Sequence, residues 1–322
     1  MVEQATQSLD GGSTPASPLQ FSLRGDDGLV IREIPLKDAA EFVAKHHYSK
    51  VMPKLNKVIL GLFQSDALVG CITFGWGVRP LDTIKKLFPS LISKDYLEIG
   101  KLCLLDEMPK NSESRFITAA MRFLRQIRPD LKLVFTWADA IWGKPGYIYQ
   151  ASNFLFGGEI SSEAYRSREG WRMHPRQLNK YVCRYLGEPK GRYVSPEEAA
   201  KNPELCIGNW AAKGTKSGVR RPYPYDMERL QLAHVRGLQF RYVYFLCPEK
   251  IKKSLLEEST VLWHRDYPKL DDCHWRIKIG REKGYHAWTP VSGEPVFTAA
   301  FDIASTMRLD RNLKLPTQKS KP

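Results

Sequence analysis

The sequence predicts an α/β protein: a mixed central sheet with helices on both faces, extended by a basic insertion and a C-terminal segment. Three observations carry this. Short apolar runs with strand character alternate along the chain with segments whose apolar residues recur at helical spacing. Hydrophobic residues make up 43% of the 322, enough for a large core, which excludes global disorder. No apolar run approaches the roughly 20 residues that span a bilayer, so the alternation belongs to a globular fold and no membrane partner is expected.

The elements follow in order. Gly28 to Ile34 reads as a strand, and Leu36 to His46 as a helix with Ala39, Phe42, Val43 and His46 on one face. Lys57 to Phe63 and Ala67 to Phe74 are strand runs separated by Gln64, Ser65 and Asp66, a hairpin signal. A helix is expected around Thr83 to Phe88, and a strand over Leu97 to Leu105. The run PKNSES then opens a helix, with Asn111 or Ser112 as its cap and Phe116, Ala119, Ala120 and Phe123 as its apolar stripe. Leu131 to Ala138 is a strand ending at Asp139, Pro145 to Asn153 a short helix, and Phe154 to Phe156 the start of another strand. Phe240 to Leu246 is the last strand, followed by the basic helix Glu249 to Glu258.

Lys and Arg total 49 against 35 Asp and Glu, a formal charge of +14 that favours a polyanionic partner, nucleic acid first. The six cysteines are scattered without a CxxC pair, which argues against a disulfide framework or a structural zinc and for a reducing, cytoplasmic setting. The segment before residue 28, with its GGSTPASP, reads as a flexible arm without a signal-peptide layout.

The most informative stretch runs from Leu97 to Gly158. It joins a strand ending in Lys101–Leu102 to a Pro-x-Asn-Ser-x-Ser helix start, a strand closing on Ala138–Asp139, a Gly-rich turn, and Tyr149–Gln150–Ala151–Ser152–Asn153–Phe154. Upstream stands His46–His47–Tyr48, and downstream RYVYFL (Arg241 to Leu246) and YPK (Tyr267 to Lys269). In this order and spacing the motifs resemble the signature of the bacteriophage Mom family, with the acetyltransferase-like fold often called GNAT. The resemblance spans about Leu29 to Leu270, so residues 28–270 are expected to form the catalytic domain, 187–235 a basic insertion in it, and 271–322 an extension.

The resemblance implies an enzyme that converts the N6 amine of adenine in double-stranded DNA to its carbamoylmethyl form and so shields phage DNA from host restriction. Chemistry on that amine requires the base to leave the stack. The alternatives are an acyltransferase of the same fold acting on a small amine, protein or RNA, and a non-catalytic DNA-binding relative. His47, Tyr48, Ser114, Asp139 and Tyr149 are the expected catalytic residues, with Lys101, Asn111, Gln150 and Asn153 binding substrate. Arg166, Arg168, Arg172, Arg176, Lys180 and Arg184, interleaved with aromatic residues, and Arg220 and Arg221 are expected to contact DNA. The helix start EMPKNSES has no glycine to let amides approach a pyrophosphate, so acetyl-CoA is not expected to bind in the usual way. The donor of the carbamoylmethyl group stays open, and iron held by His47, Asp139 and Tyr149 is a candidate.

Overall fold

A computed structural model describes residues 21–23, 28–47, 52–53, 55–77, 80–167, 172–173, 232–279, 284–288 and 309–310. The chain divides into two compact units, residues 1–75 with 100–129, and residues 76–99 with 130–322.

The first unit opens with β1 (Phe21–Ser22) and β2 (Leu29–Glu33), followed by α1 (Leu36–His46). Asp38 in the first turn of α1 and Lys45 and His46 in its last turn suit the helix dipole. The hairpin of β3 (Asn56–Gln64) and β4 (Ala67–Gly75) turns on Ser65 and Asp66, at φ 45° and 65°. Two consecutive positive φ values match the two-residue turn whose twist suits flanking strands. Ala39, Phe42 and Val43 of α1 bury against Cys71 of β4 and Cys103 of β5 (Tyr96–Leu104). Burial pushes both thiols up, to about 12 and about 11, so they serve as small apolar groups.

α3 (Ser112–Ile127) buries Phe116, Ile117, Ala119, Ala120, Met121, Phe123 and Leu124, a wider stripe than the four expected. Its start departs from expectation. Asn111 occupies the cap position in the left-handed region at φ 70°, and its side chain makes no capping bond. The Ser112 hydroxyl is buried without a hydrogen bond, so neither residue caps by side chain. Local turns close through backbone groups instead, Met108 N to Leu105 O at 3.2 Å and Ser112 N to Pro109 O at 3.1 Å.

The second unit is organised on β9 (Leu232–Phe245), a 14-residue strand. One edge pairs antiparallel with β6 (Leu133–Ala138), from Leu133↔Phe245 to Ala138↔Phe240, and further along with β10 (Trp275–Ile279). Its other edge pairs with β7 (Leu155–Ser167), which continues into a short hairpin with β8 (Arg172–Met173). β5 runs parallel to β6 over Tyr96↔Leu133 to Glu98↔Phe135, giving the expected mixed sheet. β11 (Tyr285–Trp288) and β12 (Leu309–Asp310) extend it beyond β10. The sheet therefore continues past residue 270, where the expected core ends.

Side chains of alternate residues take opposite faces. On one face Leu133 and Phe135 of β6 and Val243 and Phe245 of β9 join Tyr96. α2 (Pro80–Leu87) and α5 (Glu249–Glu258) cover them through Ile84, Leu87 and Leu255. Phe88 and Trp263 stack in this core with centroids 5.5 Å apart. On the other face lie Thr136, Ala138, Phe240 and Tyr242, over which the short helix α4 (Tyr147–Ala151) sits. No helix among the described residues is long and apolar enough to cross a membrane.

Candidate active site

The end of β6 collects the chemistry of the second unit. Asp139 follows the strand, and its backbone carbonyl accepts Trp142 N at 2.8 Å and Lys144 N at 3.2 Å, closing a 3₁₀ turn over Ala140–Trp142. The carboxylate takes no part in that turn, since no side-chain capping bond is made. Its Oδ1 instead accepts a hydrogen bond from Gln239 Nε2 on β9 at 2.8 Å.

Tyr149 stands on α4, 8% exposed, with Phe154 and Tyr242 rings each 5.5 Å away. Burial is the main cause that raises its phenol to about 12, a hydrogen bond with Thr136 opposes this, and the carboxylates of Asp139 and Glu98 add to it. Tyr149 is therefore a neutral hydroxyl at physiological pH, enclosed by aromatic rings and facing the field of two acids.

α4 is held where it is by close packing and by polar ties. Gly146 precedes it at φ 92°, and a Cβ there would lie 2.7 Å from the Tyr242 ring and 2.9 Å from Ala138. Gln150 Nε2 donates to Tyr242 Oη at 3.1 Å and to the Pro268 carbonyl at 3.0 Å, and Tyr242 Oη donates to the Pro145 carbonyl. Tyr267 Oη donates to the Phe154 carbonyl at 2.6 Å. The Tyr-Pro-Lys turn thus clamps α4, and Gln150, expected to bind substrate, has its amide nitrogen committed to this clamp. Asn153 ends the helix at φ 63°, a left-handed position that asparagine tolerates better than most residues.

Glu98 was missed by the sequence reading. It is the last β5 residue paired with β6, and its carboxylate lies directly against the Gly77 backbone, where a Cβ would fall 2.0 Å from Oε2. Desolvation alone lifts it to about 7. Its pairing with Phe135 places it on the same sheet face as Trp137, which is half-buried and packed edge-on to Phe135 at 5.0 Å. A lone Glu in an apolar strand run, as in LEIGKL, was the available signal.

The remaining expected residues are distributed as follows. His47 in the first unit is the C-cap of α1, its amide donating to Val43 O at 3.0 Å. His46 is exposed, its ring 4.8 Å from Phe42 rather than buried in the stripe. Lys101 is half-buried on β5, where its charge lowers the Cys71 and Cys103 thiols against their burial. Ser114 donates its hydroxyl to Asn111 O at 3.0 Å, and Asn111 itself is exposed. Arg166 and Arg172 are register partners in the β7–β8 pairing. Tyr48, Arg168, Arg176, Lys180, Arg184, Arg220 and Arg221 lie outside the described residues.

In the turns before α3 the Met108 and Ser112 amides donate to the Leu105 and Pro109 carbonyls. No group of three or more His, Cys, Asp or Glu side chains stands close enough to hold a metal among the described residues.

Two solved structures share a likeness of fold over part of the chain. One is a GNAT-family acetyltransferase from Streptococcus pneumoniae, 16% identical, covering 41% of this chain and 88% of its own, with a TM-score of 0.30. The other is the ribosomal-protein-S5-alanine acetyltransferase of Vibrio fischeri, 11% identical, covering 45% and 87%, with a TM-score of 0.32. Among curated proteins, the methylcarbamoylase mom of Escherichia phage Mu is 31% identical over 147 residues. That match takes in 46% of this chain and spans 61% of the phage Mu protein's length. Residues 28–269 match the Mom protein family, a span from the residue before β2 to the clamp below α4, and the chain belongs to that family.

Proposed function

We propose that the protein is a DNA-modifying transferase that places a carbamoylmethyl group on the N6 amine of adenine in duplex DNA, in the cytoplasm of a host cell. The observation that carries this is the family match over residues 28–269, together with a relative named a methylcarbamoylase. The formal charge of +14 supports a DNA partner, and protection of phage DNA from restriction is the corresponding biological role.

The lone pair of an adenine amine is delocalised into the ring, so the amine attacks only as a proton leaves it. The step requires a donor of the two-carbon amide bearing a leaving group. The N6–C bond forms, the carbon–leaving-group bond breaks with its electron pair, and the N6 proton passes to a carboxylate. Glu98, lifted to about 7, has the basicity that accepts a proton near neutral pH and releases it again. Asp139, just beyond the end of β6, is oriented by Gln239, whereas the neutral hydroxyl of Tyr149 stands on the opposite face of the sheet from Glu98. Trp137 offers an aromatic face on the Glu98 side of the sheet for an extruded base.

The test is mass spectrometry of nucleosides from the DNA of cells expressing the protein. A deoxyadenosine heavier by a carbamoylmethyl group is expected. Unmodified adenine alongside abundant folded protein would refute this function.

A further inference from the structure

Arg241 lies on β9 with its side chain on the Trp137 face, 4% exposed. A guanidinium carries five N–H donors. Among the described residues one hydrogen bond is made, from Nη2 to the Glu159 backbone carbonyl at 3.3 Å, and Nε has no partner among them. No carboxylate among the described residues forms an ion pair with it; the charge of Glu159 acts only from longer range. Burial pulls the guanidinium down to about 10, which still leaves it cationic at neutral pH.

The neighbouring strand is shaped around this cation. The β7–β9 register slips between Phe156↔Tyr242 and Glu159↔Phe240, so Gly157 and Gly158 form a bulge opposite Arg241. At Gly157 a Cβ would strike the Trp263 ring at 2.2 Å, so that side is filled. Gly158, at φ +82°, is different. A Cβ there would meet only Arg241 Nη2, at 3.6 Å, so the backbone above the guanidinium presents no side chain and leaves space.

A buried cation with a single long hydrogen bond is costly, and such groups persist where an anion completes them. We propose that Arg241 and the Gly157–Gly158 bulge form an oxyanion subsite. A fork of N–H donors suits a phosphate or a carboxylate, which it binds through two oxygens at once. The backbone of an intact duplex stays at the surface, so the occupant is either the phosphate of an extruded nucleotide or the carboxylate of a small donor molecule. The choice of these two occupants rests on the proposed function; the subsite itself does not.

The experiment measures binding of deoxyadenosine 5′-monophosphate, acetate and neutral deoxyadenosine to the full chain at constant ionic strength. Wild type, Arg241→Gln and Arg241→Lys are compared. Wild type is expected to bind at least one anion saturably, with affinity reduced at least about tenfold in Arg241→Gln and deoxyadenosine binding unchanged, as expected for loss of a charge-assisted pair. Loss confined to the nucleotide identifies a phosphate occupant, and loss of acetate binding identifies a carboxylate. Arg241→Lys keeps the charge and removes the fork, so it also binds more weakly and serves where the glutamine variant does not fold. Anion binding absent from wild type, or equal in wild type and Arg241→Lys, overturns the proposal. Because the readout is binding, a chain that binds the anion yet leaves adenine unmodified would refute the proposed function and leave this subsite standing.

Discussion

Gln239 Nε2 reaches across the β6–β9 ladder and donates to Asp139 Oδ1 at 2.8 Å, while the backbone carbonyl of Asp139 accepts from Trp142 N and Lys144 N and its side chain makes no capping bond to that turn. The arrangement separates the side chain's role from the turn's. Asp139→Asn is therefore expected to fold normally, with a melting temperature close to wild type. Modified adenosine per total adenosine should fall by about 10²- to 10⁴-fold if the carboxylate accepts or orients a proton in the reaction. Near-normal modification in a variant that folds and binds DNA would assign Asp139 to structure.

Glu98 gives a pH dependence whose sign follows from its raised value. Its carboxyl goes from the ordinary 4.5 to about 7 in the folded chain because burial penalises the charge. Between these values the folded state binds more protons than the unfolded one, so stability from this group is complete below about 4.5 and is lost as pH rises through about 7. Subtracting the melting profile of Glu98→Gln from that of wild type isolates this slope. Modification by wild type should rise with pH through the same region as the carboxylate ionises, and Glu98→Gln should lose that limb. Profiles that superimpose would remove Glu98 from the reaction.

Gly146→Ala tests the seat of α4. An added Cβ collides with Tyr242 and Ala138 and must be held at φ 92°. Overpacking of this kind costs about 1–3 kcal/mol, and the left-handed backbone adds about 1–2 kcal/mol. Urea unfolding should show the loss, and modification should drop with it because Tyr149 rides on the same helix. A variant as stable as wild type would mean that the helix shifts freely.

The basic stretch beyond β7 is tested by salt. Replacing Arg172, Arg176 and Lys180 with Ala should weaken binding to every DNA sequence. Each lost phosphate contact reduces the slope of log affinity against log salt by about 1. A slope unchanged in the triple variant would put the DNA on another surface, with Arg220 and Arg221 the next to replace.

What the sequence by itself determined is the local order: the hairpin at Ser65 and Asp66, the helices over Leu36–His46 and Ser112–Ile127, and the strand that stops at Asp139. These follow from periodicity and turn chemistry, which act between residues a few positions apart. The motif block from Leu97 to Gly158 likewise carried the family, because it is contiguous. Tertiary structure decided the rest. Glu98 becomes a carboxyl near 7 because the fold buries it, with Gly77, 21 positions away in sequence, packed against its carboxylate, and desolvation depends on what surrounds a group in space. Arg241 reads in sequence as one more cation in a basic chain, yet β9 buries it beneath a two-glycine bulge of a strand some 80 residues earlier. Gln150 sits in a motif that suggests substrate binding, and the fold brings Tyr242 and Pro268 to its amide instead. The long-range pairing of β9 with β6 and β7 produces the last two of these encounters, and no local pattern encodes which partner a buried polar group will meet.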